Sequence, residues 1–444
     1  MLTGAVADDF TGATDLAAAF RSRGLRAAVV VGDRPVPDER VAGLDAVVVA
    51  LKSRTAPVQE AVGASLEAAD RLLGWGADRF YLKYCSTFDS TDEGNIGPVL
   101  DALRERLDTD RSVVVPAFPA NGRTVRDGSL WVGDDLLEHS SMRHHPLTPM
   151  TRSRLRDLLA PQTDAEVTEV GLDVVRQGAE ALRTALDTPP AGYLVVDAVD
   201  DDDLGTIARA TAGHRLVSGG AGLALGLEPA GGHGAELPFP VFTRRRLVVC
   251  GSASTTTQAQ VAAAVAAGHP TRKVDVSAAL ADPEAETASL AAWVRGLDAG
   301  SVPVVYSVGD PSDVRPAPAV TAPAGDAPGA GDPGAADPGT GGPGTGGAGP
   351  AGTAAGAVEA VLSGLVLELV ADGTVDQVVV AGGETSGAVV GALGVGLLEI
   401  GPLLAPGVCW SAAVTDAGRE VALVLKSGNF GSVDLFSTAW EALA

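Results

Sequence analysis

Two adjacent carboxylates, Asp8 and Asp9, stand between the apolar run Met1–Ala7 and Thr11-Gly12-Ala13-Thr14. Ligands of open α/β sheets sit beyond the carboxyl ends of the strands, where helix N-termini present unpaired N–H groups. Asp and Thr are common helix caps, but one cap needs one acid. A pair of acids at such a strand end suits proton transfer or substrate orientation. Lysine is scarce, with 4 residues against 28 Arg, and Lys52, Lys83 and Lys426 each end an apolar run inside a Gly-, Ser- or Thr-bearing cluster. A point charge with rotatable donors, in an acidic chain, suits capture of an anion. Arg54 shares the Lys52 cluster. Lys83 opens Lys83-Tyr84-Cys85-Ser86-Thr87, where Cys85 reads as a small buried residue rather than a nucleophile.

Three turns in the second half have the composition of phosphate cradles. Gly251-Ser252-Ala253-Ser254 follows the run Leu247–Cys250, and Gly382-Gly383-Glu384-Thr385-Ser386-Gly387 follows Gln377–Val380. Ser427-Gly428-Asn429-Phe430-Gly431 follows Val421–Lys426. Small, hydroxyl-rich turns between strand and helix aim backbone N–H groups at phosphate oxygens. A G-x-x-x-x-G-K-[ST] loop, an early G-x-G-x-x-G and a G-x-S-x-G elbow are all missing, which disfavours P-loop proteins, Rossmann dehydrogenases and α/β-hydrolases. No metal ligand is assigned. His139, His144 and His145 lie close together but lack partners at zinc spacing, so a substrate or interdomain contact suits them better.

The elements that must position these residues alternate along the chain. Apolar runs at Met1–Ala7, Arg26–Val31, Ala46–Leu51, Phe80–Lys83, Ser112–Pro116 and Tyr193–Asp197 are separated by Ala-rich helical stretches such as Thr14–Arg23 and Ala61–Leu73. The pattern restarts at Leu247–Cys250, with helices at Thr257–Ala267, Ala357–Ala371 and Ala388–Leu393. Such alternation predicts an α/β protein whose largely parallel sheets are flanked by helices. With 444 residues, more than one core is needed, and Gly/Pro density near 230–245 places a boundary between domains 1–235 and 236–444. Residues 316–356 are almost wholly Pro, Ala, Gly, Thr and Asp, and read as a disordered surface insertion.

Lys+Arg 32 against Asp+Glu 56 gives a net charge of −24, which repels nucleic acid and anionic membrane surfaces. No run of about 18 uninterrupted apolar residues suggests a membrane span. Three scattered cysteines and an N-terminus without signal-peptide features fit a reduced, cytoplasmic compartment. The oligomeric state is open, a homodimer included.

Four ordered motifs, ADDFTGATD (7–15), KYCSTFDSTDEGNIG (83–97), GGETSG (382–387) and KSGNFG (426–431), resemble the four-carbon acid sugar kinase family over nearly the whole chain. KYCSTFDST and MRHHPLTPM (142–150) look like its 3-oxo-tetronate kinase branch rather than the threonate and erythronate kinases. The resemblance implies a sugar-acid domain followed by a nucleotide domain, with the active site in the cleft between them. It implies transfer of a phosphoryl group from ATP, with Mg²⁺, to the terminal hydroxyl of a C4 acid. Under it, Ser252 or Ser254, Gly382, Gly383, Glu384, Thr385 and Gly428 contact ATP. Arg54, Lys83, Tyr84, Cys85 and Ser86 face the sugar acid, and Asp9 or Asp8 accepts the hydroxyl proton. Glu384 is a candidate for ordering Mg²⁺ through water. The insertion, and Cys409 where members often carry proline, depart from the family pattern. A nucleotide-binding sensor without transfer activity is the alternative from another class.

Overall fold

The computed structural model describes residues 2–32, 34–145, 148–227, 237–310, 313 and 353–443. In the first half β1 (Leu2–Ala7), β2 (Ala27–Val31), β3 (Ala46–Ala50), β4 (Ala77–Lys83) and β5 (Arg111–Val115) are followed by a small antiparallel sheet. That sheet comprises β6 (Arg123–Arg126), β7 (Ser129–Val132) and β8 (Asp135–Leu136); β9 (Glu166–Val170), β10 (Gly192–Val196) and β11 (Leu216–Gly219) complete the half. The second half supplies β12 (Arg245–Cys250), β13 (Thr271–Lys273), β14 (Val304–Tyr306), β15 (Val375–Ala381), β16 (Leu397–Ala405), β17 (Val408–Val414) and β18 (Glu420–Lys426).

All but the three small-sheet strands join one sheet in the order β13-β14-β12-β15-β18-β17-β16-β2-β3-β1-β4-β11-β5-β10-β9. In the large sheet the ladders among β1–β5 and β9–β11, and those joining β12–β15 with β18, are parallel, and β3 and β15 are buried at every residue, as sheets covered by helices on both faces require. The two parallel arrays meet through the antiparallel β16–β17 hairpin, with β16 pairing to β2 at Leu397–Val30, Leu398–Val29 and Glu399–Ala28. Arg21 Nη1 reinforces this seam by donating to the Ile400 carbonyl at 2.7 Å, and Arg40 Nη2 lies 2.7 Å from Glu399 Oε1. Three antiparallel steps separate β2 from β18, so in a flat sheet the two sets of carboxyl ends would leave by opposite edges. Adjacent strands rotate by roughly 20–25°, and six steps lie between β1 and β15. Twist over such a span lets the tips of both arrays border one cavity.

Three element ends correct the sequence reading. The first helix runs Phe10–Ser22, so Thr11 and Gly12 lie in its opening turn rather than in a preceding loop; the Asp9 cap sets the start. The helix Gly383–Leu393 begins at Gly383, and most of the expected GGETSG turn is therefore its first turn, entered through Gly382 at φ 131°. The helix Ala354–Ala371 starts three residues before Ala357, because Thr353 accepts a hydrogen bond from Gly356 N–H, so residues 353–356 are helix and cap. The rest of the expected insertion lies outside the described residues. That same helix is, among the described residues, long and apolar enough to cross a bilayer, although Glu359 and Glu368 interrupt it. Eight of its residues, Val361 and Leu365 among them, are buried in the core, and it packs against the helices Pro283–Gly296 and Gly383–Leu393.

Candidate active site

Asp8 and Asp9 leave β1 at its carboxyl end. Asp9 is extended (φ −147°, ψ 161°), and its Oδ1 accepts from Gly12 N–H at 2.9 Å, capping the helix Phe10–Ser22. Arg54 follows the neighbouring β3, where Ser53 N–H and Arg54 N–H both donate to the Asp8 carbonyl at 3.0 and 3.2 Å. This turn aims the guanidinium back at the acids. Arg54 Nε and Nη2 each lie 2.8 Å from an Asp8 oxygen, Nη2 lies 2.9 Å from Asp9 Oδ1, and Nη1 lies 3.6 Å from Asp89 Oδ2. Asn95 Nδ2 secures the turn by donating to the carbonyls of Ser53 at 2.7 Å and Ala56 at 2.8 Å.

Burial pushes the Asp8 carboxyl up, against the pull of the Arg54 fork. Burial also opposes the Arg54 charge, but the Asp8 and Asp9 carboxylates outweigh it and hold the guanidinium protonated. Both Asp8 oxygens are thus engaged. Asp9 is the more open of the two, with 34% of its side chain exposed against 15% for Asp8, and its Oδ2 has no partner among the described residues. Lys83, at the tip of β4, is buried, and its Nζ donates to the Tyr84 carbonyl at 2.9 Å. It also crowds Gly12: a Cβ there would lie 3.0 Å from Lys83 Nζ and on top of Asp9 Oδ1. Lys83 makes no ion pair among the described residues, in contrast to Arg54, although its charge acts on the nearby Asp15 and Asp8 carboxyls.

The rest of the Lys83 cluster is divided. Tyr84 is fully buried, with its ring edge-on to Phe88 and its hydroxyl 3.2 Å from Ser218 Oγ; it lines a small cavity with Asp8, Arg54, Asp89 and Asn95. Cys85 is half-buried rather than buried, with Sγ 2.9 Å from Thr87 Oγ1, and desolvation pushes its thiol up to about 11. Ser86 stands beside the Gly219-Gly220 turn that leaves β11.

In the second half the tips of β12, β15 and β18 lie side by side. Gly251 and Ser252 N–H donate to the Ala381 carbonyl at 3.0 and 3.2 Å, and Gly382 N–H donates to the Lys426 carbonyl at 2.9 Å. Ser254 caps the helix Thr255–Ala266 by accepting from Thr257 N–H at 3.2 Å. The loops are in mutual contact: a Cβ on Gly428 would meet Ser252 Oγ and lie 2.8 Å from Ser254 Oγ, and one on Gly251 would overlap Thr385 Oγ1. Ser252, Ser254, Gly382, Thr385 and Gly428 therefore form one cluster, with two helix N-termini converging on it.

A cavity of about 1090 Å³ lies between the halves, lined by Asp9, Phe10 and Lys52 from the first and by Glu359, Gly383 and Glu384 from the second. Asp9, Gly383 and Glu384 thus line one cavity. Asp8, Arg54 and Tyr84 line the smaller cavity instead, and His139, His144 and His145 line neither. Among the described residues no group of three or more His, Cys, Asp or Glu is arranged to hold a metal. Sequence reasoning passed over Glu359, which lies inside the expected helix Ala357–Ala371 with nothing local to mark it; only the packing of that helix against Gly383–Leu393 brings it to the cavity. Burial and a hydrogen bond to Glu384 raise the Glu359 carboxyl. It also passed over Asp15, which shares the Gly12 face of its helix three residues on. Its carboxyl is raised by burial and has no hydrogen-bond partner among the described residues.

Known proteins agree with this architecture. The sugar-binding N-terminal domain family matches residues 3–227, and the nucleotide-binding C-terminal domain family matches 247–335 and 342–436. Over 456 residues the chain is 42% identical to a 3-oxo-tetronate kinase of Cupriavidus necator, covering 100% of this chain and 97% of that one. A 3-oxo-tetronate kinase of Pseudomonas fluorescens is also 42% identical, with 100% and 97% covered. The crystal structure of a Haemophilus influenzae protein of the DUF1537 family superposes with a TM-score of 0.81 at 35% identity, covering 99% of this chain and 100% of that one. Full-length identity at this level, together with both domain matches, leads to one conclusion: the chain belongs to the four-carbon acid sugar kinase family.

Proposed function

We propose that the protein phosphorylates the terminal hydroxyl of 3-oxo-tetronate with ATP, giving the 4-phosphate. The observation that carries this is the cleft lined both by Asp9, at a first-half strand tip, and by Gly383 and Glu384, at a second-half helix start. Residues 1–235 act as the sugar-acid domain and 236–444 as the nucleotide domain, a division supported by the two family matches. The protein works in the cytoplasm on small, diffusible substrates.

Asp9 accepts the hydroxyl proton through its unpartnered Oδ2, while Arg54 and the Gly12 N–H hold Oδ1 and fix the carboxylate. Lys83 supplies the positive charge for the substrate carboxylate. Arg54 is a positioning residue: its fork keeps Asp8 and Asp9 in register rather than gripping substrate. The cluster of Ser252, Ser254, Gly382, Thr385 and Gly428 receives the phosphate chain. Glu359 and Glu384, two adjacent carboxylates on the cleft wall, fit a divalent ion that keeps most of its ligands as water and phosphate oxygens. When bound, Mg²⁺ supplies neutralisation of the phosphate charge. Closure over the cleft keeps water from the γ-phosphate.

A coupled assay for ADP release, run with 3-oxo-tetronate, threonate and erythronate, tests the proposal. The highest kcat/KM is expected with 3-oxo-tetronate. Preference for another of the three acids overturns the substrate assignment, and nucleotide binding without acid-dependent ADP release makes the protein a sensor. Asp9→Asn is expected to leave ATP binding unchanged and to lower kcat by about 10²–10⁴. A variant with near-normal kcat removes Asp9 from the role of base.

A further inference from the structure

Lys426 ends β18 directly beneath the phosphate-cradle cluster. Its side chain is 1% exposed. Nζ donates to Thr257 Oγ1 and to the Gly428 carbonyl, both at 3.2 Å, and Thr257 Oγ1 in turn donates to the same carbonyl at 2.9 Å. Every acceptor it has is neutral, and no carboxylate stands within ion-pair distance among the described residues. From β12 the facing group is Cys250, from the helix Thr255–Ala266 it is Thr257, and β15 pairs through Ala381. The N-termini of the helices Thr255–Ala266 and Gly383–Leu393 add positive potential at the same spot. A buried ammonium ordinarily has a counter-ion, and here the described residues provide none.

We infer that the counter-ion is the phosphate chain of the bound nucleotide, and that nucleotide binding is coupled to protonation of Lys426. This rests on the kinase reading above. Lys426 acts as a positioning residue: through Thr257 and Gly428 it holds the Ser254 cap and the 427–431 loop together, and its charge reaches the phosphates through them. Burial draws its pKa down to about 8, so the free protein carries a mixture of ammonium and amine at mildly alkaline pH. Cys250, pushed by burial up to about 12, remains a thiol throughout that range. A bound polyanion favours the ammonium, so binding takes up a proton, and affinity falls as pH rises through the free-state pKa.

The test is calorimetry of a non-hydrolysable ATP analogue with Mg²⁺ on the full chain, in two buffers of different ionisation enthalpy. At pH 8.5 the expected uptake is about half a proton or more per nucleotide, and near zero at pH 6.5, with Kd weakening about tenfold between pH 7 and 9.5. Lys426→Met is expected to bind more weakly and to lose the uptake. Lys426→Arg, whose charge does not titrate in this range, is expected to bind with no pH dependence, and it serves if the Met variant does not fold. Binding by the unaltered protein without uptake at pH 8.5 overturns the inference alone, as does uptake that survives in either variant. A protein that binds no nucleotide at any pH overturns the kinase reading and takes this inference with it.

Discussion

Asp8 and Asp9 are neighbours with different tasks, and Arg54 makes them different. Its fork closes on Asp8, while Asp9 keeps one oxygen free and uses the other to start a helix. Replacing Arg54 by Lys keeps the charge but loses the two-pronged geometry. Arg54→Lys is expected to lower kcat by about 10²-fold or more, because a displaced catalytic carboxylate loses its attack geometry, with a far smaller change in the KM for ATP. Equal effects on both constants would place Arg54 elsewhere in the reaction. Gly12→Ala gives an independent check. Alanine is normally the better helix former, by about 0.8–1 kcal/mol, yet here its methyl would displace Asp9 Oδ1 and press on Lys83 Nζ. The expected result is a largely unchanged melting temperature with a drop in kcat of about 10²-fold. The adjacent acids were legible in the sequence because two carboxylates at a strand end exceed what one helix needs. Their division of labour was not, since it depends on where a guanidinium 46 positions away folds back.

At the scale of elements, the parallel strands were legible because burial on both faces forces Val and Ala runs, as in β3 and in the last four residues of β15. Helix starts were less so. Gly383 opens a helix although Gly is a poor helix former, because Gly382 takes a backbone conformation that other residues avoid, and N–H groups at that start are left to face the cleft. The β16–β17 hairpin escaped notice altogether, since Gly401, Pro402, Pro406 and Gly407 give that stretch the look of a loop. Among capping residues Ser254 has a double role, holding the helix Thr255–Ala266 and touching Gly428. Ser254→Ala is expected to destabilise the fold by about 1 kcal/mol and to raise the KM for ATP. Denaturant unfolding and steady-state kinetics on the same preparation check both effects, and stability loss with an unchanged KM would reduce Ser254 to a cap.

At the scale of the whole molecule, the two ligands are expected to stabilise the protein together. Each at about 100 times its Kd should add roughly 2.7 kcal/mol; the pair should add more than the sum if both contact the shared cleft, read as a supra-additive rise in melting temperature. Strict additivity would mean two sites that do not communicate. The seam between β2 and β16 has a further mechanical consequence. It is a ladder of three paired residues between two ladders of five, beside a few side-chain ties. Stretched between its ends in an optical trap, the protein should tear there first, in a small early event, leaving two lobes that each yield later and at higher force.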